Sequence, residues 1–228
     1  GCGFIGSHTI VDLIENGFDV LSIDNFSRSN QLMFDGIEKI TGKKIENINI
    51  DLADENAVKS IYPKLEKVAG IIHFAAYKAV GESVENPMLY FKNNLGSLIN
   101  ILEAAKACNI PHFVFSSSCT VYGNVQKLPV VESTPMGQAE SPYGRTKQIG
   151  EGIIEDYVRA NPAIKSILLR YFNPVGAHPT AEIGELPIGV PANLIPYVTQ
   201  TAIGIRKQLT VFGDDYNTRD GSCIRDYI

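Results

Sequence analysis

The sequence predicts an α/β domain, a doubly wound parallel sheet with helices on both faces, followed by the start of a smaller C-terminal lobe. Three observations carry this. Short apolar runs alternate with longer stretches of helical spacing through residues 1–172, as expected of strands buried on both faces. A glycine turn opens the chain and leads straight into a helical stretch. From Asn173 onward prolines and glycines become frequent and the alternation loosens, so the domain boundary is expected between 1–172 and 173–228. At 228 residues the chain is long enough for one well-filled domain and a small second one.

Each element has its own signal. Residues 4–16 have helical spacing and end at Gly17, a favourable residue just past a helix. A short apolar strand over 19–23 is closed by Asp24. A helix over 31–41 stops before Gly42, and a strand over 45–50 is closed by Asp51. A capped helix over 54–65 precedes a buried strand over 69–75. Pro87 suits the first turn of a long helix running to about residue 107. A strand over 112–116, a helix over 143–160 and a strand over 166–172 complete the series. No Met opens the chain, no strand precedes the glycine turn, and the last residues stop in mid-pattern. A piece of a longer protein is therefore expected, with the first strand of the sheet missing.

Composition narrows the function classes. Charged residues make up 20% and apolar residues 44%, a soluble globular balance. A net charge of −5 and a pI near 5.4 provide no electrostatic footprint for nucleic acid or an anionic membrane. No apolar run approaches a membrane span and no secretory signal opens the chain. A cytoplasmic protein without nucleic-acid or membrane partners is expected. Cys2, Cys108, Cys119 and Cys223 are scattered, which points to reduced thiols. The four histidines form no metal constellation, so no metal is expected. His73, in an apolar run, reads as a packing residue at a strand end.

Tyr143 and Lys147 lie four residues apart, on one face of a helix if the stretch is helical. Of the ten tyrosines, only this one stands four residues before a lysine. A phenol is a poor base at neutral pH because its reference pKa is near 10. A fixed ammonium about 5 Å away, at an effective dielectric of ~20, favours the phenolate by ~3 kcal/mol, or roughly two pKa units. That leaves the phenol mostly protonated, and a second positive charge has to supply the rest. Ser118 lies 25 positions before Tyr143. Read alone, Ser116-Ser117-Ser118 fits a polar strand end.

Gly1-Cys2-Gly3-Phe4-Ile5-Gly6 matches G-x-G-x-x-G at the start of a helix. Glycines let the backbone approach a pyrophosphate, and the helix N-terminus adds unpaired N–H groups and a positive dipole. By itself the pattern fits a ligand-free turn equally well. Asp24 shifts the balance. It lies 18 residues after Gly6 at a strand end, near the spacing of an acid that binds a ribose hydroxyl pair. A carboxylate there repels a 2′-phosphate, which favours NAD over NADP. A cap is the other role for an Asp at that place. Asp51 likewise either caps a helix or contacts an adenine end.

Together, Gly3-Phe4-Ile5-Gly6-Ser7-His8, Ser116-Ser117-Ser118, Tyr122-Gly123 and Tyr143-x-x-x-Lys147 resemble the extended short-chain dehydrogenase/reductases, a family with a Rossmann-type sheet. Two longer blocks, His73-Phe74-Ala75-Ala76-Tyr77-Lys78-Ala79-Val80-Gly81-Glu82-Ser83 and Leu169-Arg170-Tyr171-Phe172-Asn173-Pro174-Val175-Gly176-Ala177-His178-Pro179, resemble the UDP-glucose 4-epimerases within it. The likeness runs over essentially the whole chain. It implies NAD-dependent epimerisation at C4 of UDP-galactose and UDP-glucose through a transient 4-keto sugar, with Tyr143, Lys147 and Ser118 catalytic. It implies an NAD grip of Gly3, Phe4, Ile5, Gly6, Asp24, Asn25, Asp51, Leu52, Phe74, Ala75, Lys78, Asn93, Ser116, Tyr143, Lys147 and Phe172. Ser118, Tyr143, Asn173, Asn193, Leu194, Phe212 and Arg225 are the implied substrate contacts. For Arg225 there is also a direct reason, since a guanidinium pairs bidentately with a diphosphate. A homodimer of the full-length protein through two long helices is implied as well.

Lys78 fits a solvated loop, Phe212 a core position, and Leu194 packing under either reading. The chain departs from the family pattern at Cys119, where a small residue is common, and at Arg145, where Lys is common. The rival enzyme is an NAD-dependent sugar-nucleotide 4,6-dehydratase or decarboxylase. Those relatives follow the site Ser or Thr with acidic residues, which elimination chemistry uses as a general acid. Here Cys119-Thr120-Val121 follows Ser118, with no Asp or Glu. A non-catalytic NAD sensor would have no need to keep Tyr, Lys and Ser together.

Overall fold

A computed structural model describes residues 1–228. Helix α1 (Phe4–Glu15) starts at an extended Gly3 and gives way to Gly17, whose φ of 85° suits only a residue without Cβ. Strand β1 (Leu21–Ile23), helix α2 (Leu32–Thr41) and strand β2 (Glu46–Ile48) follow, with the strands shorter than their apolar runs. Gly42, at φ 69°, ends α2. The helix expected over 54–65 divides into α3 (Glu55–Ser60) and α4 (Tyr62–Leu65). Pro63 explains the break, because it has no N–H and its ring clashes with the preceding turn. Asp54 caps α3, accepting from the amides of Asn56 at 2.9 Å and Ala57 at 3.2 Å.

Strand β3 (Gly70–His73) leads to α5 (Val80–Glu85), a helix that the residue pattern does not announce. The long helix expected from Pro87 is continuous in its path but not in its winding. Helix α6 (Pro87–Tyr90) passes through a π-helical turn at Phe91–Leu95 into α7 (Gly96–Ala107). Strand β4 (His112–Ser116) and a 3₁₀ turn at Cys119–Tyr122 precede α8 (Pro142–Ala160) and β5 (Lys165–Leu169). Beyond them lies one further helix, α9 (Leu194–Ala202).

The fold is α/β with parallel strands. β3, β4 and β5 form one ladder in that order, with Gly70 opposite His112 and Ser116 opposite Leu169. β1 and β2 are hydrogen-bonded to each other in a second ladder. The chain divides into two compact units. The first comprises 1–22, 26–47 and 172–228, and its core gathers Ile10, Val11 and Ile14 of α1, Met33 and Ile37 of α2, and Ile183. Gly36 permits this approach: a Cβ there would lie 2.3 Å from the Glu182 carbonyl oxygen and 2.6 Å from Ile183. The second unit comprises 23–25 and 48–171. Phe113 and Phe115 of β4, Leu98 and Leu102 of α7 and Ile154 of α8 are buried in it. Gly150 lets α8 close on the sheet, since a Cβ would meet the Phe115 ring at 2.9 Å. The Tyr157 hydroxyl donates to the Leu102 carbonyl at 2.6 Å and ties α8 to α7.

Candidate active site

In the second unit the start of α8 is set by two residues. Ser141, extended, accepts from the Gly144 amide at 3.1 Å, and Pro142 pre-forms the first turn. This puts Tyr143, Lys147 and Glu151 on one helical stripe. Opposite them runs the exit of β4, where Ser116, Ser117 and Ser118 are all buried. Each serine engages one member of the stripe. The Ser118 hydroxyl hydrogen-bonds the Tyr143 phenol. The Ser116 carbonyl accepts from Lys147 Nζ at 2.5 Å. The Ser117 hydroxyl donates to Glu151 Oε1. The serine run is thus a wall of the site and not merely a polar strand end.

Burial sets the electrostatics. Although Tyr143 as a whole is half-buried, its hydroxyl end sits among Ser118, Cys119 and Tyr171. Desolvation pushes the phenol up to about 12, with the Ser118 hydrogen bond pulling the other way. The expected lowering by Lys147 does not appear. The ammonium, 4% exposed, donates to Ser116 and lies 5.8 Å from the centre of the Tyr143 ring and 4.9 Å from that of Phe115. Burial pulls Lys147 down to about 8, partly offset by the charge of Glu151. Phenol and ammonium are therefore both pressed toward their neutral forms. His73 is held down to about 3 by burial and by Lys147, and it packs against Phe113 and Phe115 with ring centres 6.2 and 6.1 Å away. This is the packing role its sequence context suggested.

Several groups in this wall have no individual signal in the sequence. Glu151, fully buried, is clasped by Arg170, with Nη2 2.6 Å from Oε2 and Nε 3.0 Å from Oε1. Arg170 also donates to the Tyr122 hydroxyl at 3.2 Å. Glu151 was findable by extending the Tyr143–Lys147 spacing one more turn. Arg170 was not, because no periodicity links it to α8. Asn94, in the π-helical turn, accepts from the Tyr77 amide at 2.8 Å and donates to Thr146 at 3.2 Å, fastening the 74–78 segment to α8. π-turns of this kind concentrate at functional sites. Tyr171 hydrogen-bonds the Ser116 hydroxyl. The Thr120 hydroxyl is buried without a protein partner, a polar atom suited to a polar ligand.

The remaining NAD candidates are distributed over both units. In the second, Asp24 and Asn25 follow β1 half-buried, and the Asp24 amide donates to the Ile48 carbonyl at 3.2 Å. Asp51 uses one carboxylate oxygen as a turn cap for the Ala53 amide at 2.8 Å. Leu52 is buried and its carbonyl accepts from Asn100 at 2.8 Å. Phe74 is half-buried, Ala75 and Lys78 are exposed, and Asn93 donates to Asn94 at 2.9 Å. In the first unit, Gly3 stands exposed with open space where a Cβ would be, and no side chain caps α1. A Cβ on Gly6 would lie 2.4 Å from the Gly1 carbonyl oxygen, so the turn admits only glycine there. First-turn amides of a helix have no partner within it. With Phe4, Ile5 and an uncapped start, these residues fit a pyrophosphate. Phe172 is half-buried.

The substrate candidates outside the serine–tyrosine wall belong to the first unit. Asn173 is fixed, bridging Tyr227 and donating from its side chain to the Asp226 carbonyl at 2.7 Å. Asn193 precedes α9 and bonds Glu185. Within residues 1–228, Leu194 opens α9 at 51% exposure and Phe212 is 97% exposed. Arg225 is exposed and donates only to the Ile224 carbonyl, at 3.2 Å.

A family model described as GDP-mannose 4,6 dehydratase matches residues 1–228. The chain is 50% identical over 232 residues to a UDP-glucose 4-epimerase of Schizosaccharomyces pombe, covering all of this chain and 65% of the relative. It is 45% identical to that of Erwinia amylovora, covering 67% of it. Among solved structures, the Bifidobacterium longum UDP-glucose 4-epimerase in complex with NAD⁺ and UDP superposes with a TM-score of 0.96. That match is 45% identical and covers all of this chain and 68% of the other. The Stenotrophomonas maltophila enzyme with bound NAD and formylated UDP-arabinopyranose gives a TM-score of 0.93 at 41% identity, covering all of this chain and 67% of that one. The chain thus spans about two thirds of the length of the curated relatives it matches.

Proposed function

Since this chain belongs to the UDP-glucose 4-epimerase family of extended short-chain dehydrogenase/reductases, we propose that its full-length protein interconverts UDP-galactose and UDP-glucose. The observation that carries this is the single buried cluster of Ser118, Tyr143 and Lys147. Tyr143, as phenolate, takes the proton from the sugar's 4-hydroxyl, and Ser118 holds the 4-oxygen and shares in the transfer. Lys147 holds the nicotinamide ribose. Bound NAD supplies the hydride acceptor and donor at C4 and, when oxidised, the second positive charge that a phenol near 12 requires. The 4-keto sugar then turns its other face, and Tyr143 and Ser118 return the proton to the 4-oxygen.

The remaining roles follow the same reading. Gly3, Phe4, Ile5 and Gly6 cradle the pyrophosphate, Asp24 and Asn25 the adenine-side ribose, and Asp51 and Leu52 the adenine. Phe74, Ala75, Lys78, Asn93, Ser116 and Phe172 complete the grip. Asn173, Asn193, Leu194, Phe212 and Arg225 hold the UDP end, and 173–228 begins the UDP-sugar lobe. The 4,6-dehydratase reading is disfavoured because no carboxylate follows Ser118 to expel a 6-hydroxyl. Homodimerisation through α7 and α8 is supported by Ile99 and Ile149, which stand 43% and 36% exposed there. Four free cysteines, two of them buried, support a reducing, cytoplasmic setting. No helix is long and apolar enough to cross a membrane.

The test is to incubate the full-length protein with UDP-galactose, without added cofactor, and assay for UDP-glucose. A 4-keto-6-deoxy product, or no conversion by protein shown to carry NAD, sinks the reading.

A further inference from the structure

Glu151 lies one helical turn beyond Lys147, completely buried, and four interactions immobilise its carboxylate. Arg170 makes three of them, from Nη2 at 2.6 Å and from Nε at 3.0 and 3.1 Å, and the Ser117 hydroxyl makes the fourth. A buried ion pair of this kind gains little stability over well-packed apolar residues. Its placement suggests another use. Ser117 sits between Ser116, which takes the Lys147 ammonium on its carbonyl, and Ser118, which bonds the Tyr143 phenol. The same three-serine run therefore holds Glu151, Lys147 and Tyr143 at once.

The surroundings of Lys147 make Glu151 its one buried anion. From α8 it faces Tyr143 and Glu151. From β4 it faces the Ser116 carbonyl and the Phe115 ring. His73 of β3, kept neutral at physiological pH, lies behind that ring. From the segment after β5 come Arg170, already paired with Glu151, and Tyr171, bonded to Ser116. Desolvation works against the ammonium on every side, and the Glu151 charge is what opposes it.

We infer that Glu151 is a positioning residue for Lys147, acting through its buried negative charge and fixed in place by Arg170 and Ser117. The inference rests on the proposed function only for the consequence in turnover, because the charge state of Lys147 is measurable without it.

The experiment uses full-length protein carrying its NAD, as wild type, Glu151→Gln and Glu151→Gln/Arg170→Met. The double variant removes both partners of the ion pair, so it keeps the test open if the single variant folds poorly. The 13C chemical shift of Lys147 Cε against pH, in protein carrying 13C-labelled lysine and assigned with Lys147→Arg, reports its titration midpoint even though the ammonium is buried. The kcat and KM profiles against pH report the consequence. In Glu151→Gln the midpoint is expected to fall by about one to two pH units. The alkaline loss of kcat should move down with it, giving about a tenfold lower kcat near pH 8 with KM little changed. The double variant should regain thermal stability while its midpoint stays below wild type. Wild-type midpoints in both variants would overturn the inference, as would a double variant whose regained stability brings back the wild-type profile. A displaced midpoint in a protein that does not epimerise UDP-galactose would support the positioning role and overturn only the proposed function.

Discussion

The wall formed by Ser118, Tyr143 and Lys147 and the set Asn193, Leu194, Phe212 and Arg225 are both proposed to serve one nucleotide sugar, yet they are built in opposite ways. The first is carried on the end of a central strand and the start of a nineteen-residue helix, with Ser118 and Lys147 8% and 4% exposed. The second is strung along irregular chain and the start of α9, with Phe212 97% exposed and Arg225 donating only to its neighbour's carbonyl. Reacting atoms have to be held to a fraction of an ångström before substrate arrives. Groups that grip the remote diphosphate and uridine can take up their positions on contact. Asn173 stands between the two classes, pinned to Asp226 through both its backbone and its side chain.

The sharpest way to break this contrast is Tyr143→Phe. It keeps the ring that packs beside Lys147 and removes only the hydroxyl bonded to Ser118. Turnover of the full-length protein should fall by about three orders of magnitude or more, the range of a lost proton-transfer group. Bound NAD should stay near stoichiometric when released by denaturation and measured by absorbance. Activity within tenfold of wild type would remove Tyr143 from the proton path.

The same contrast governs what could be read from residues alone. β4 was legible to the residue, His112–Ser116, because an apolar run met clear breakers. The Tyr143–Lys147 pair was legible because its spacing is that of a helix, and α8 is one. The break at Ile61 followed from Pro63 but lost out to a strong helical pattern on either side. The π-helical turn at Phe91–Leu95 had no signal, since its winding answers to the tertiary bonds of Asn94 and not to local propensity. The upward shift of Tyr143 is not legible from spacing for a related reason. Spacing gives the distance to Lys147, but the desolvation that raises the phenol depends on how the whole fold buries it, and Tyr171 and Cys119 add to the rise by their charge.

Desolvation makes the second prediction, now in stability. Lys147 has a folded pKa of about 8 against a model-peptide value of 10.5. Below pH 8 the folded protein carries a buried ammonium, at a cost of about 3 kcal/mol from 1.36 kcal/mol per unit. Between pH 8 and 10.5 the folded side chain is neutral while the unfolded one remains protonated, so wild-type stability gains with rising pH. The gain is complete above 10.5 and is lost as pH falls through 8. Lys147→Met has no such dependence. Relative to wild type it should be more stable by about 1–2 kcal/mol at pH 7, once the lost Ser116 hydrogen bond is offset. That advantage should vanish or reverse by pH 10.5 in urea melts. A difference between the two proteins that is flat with pH would show that Lys147 is not desolvated.

The smallest effect on stability belongs to the other region. Phe212→Ala and Arg225→Ala remove side chains that make few contacts within residues 1–228, so in this chain each should change the unfolding free energy by less than about 0.5 kcal/mol. Their effect should appear in binding. Arg225→Ala should raise KM for UDP-galactose by about tenfold or more while kcat changes little, because a diphosphate contact present in both the ground and transition states is uniform binding. Phe212→Ala should do the same more weakly, through lost contact with the uracil. A fall in kcat with KM unchanged would mean that these exposed groups help to orient the sugar. The separation between a preorganised reacting wall and an adaptable nucleotide grip would then fail at its far end.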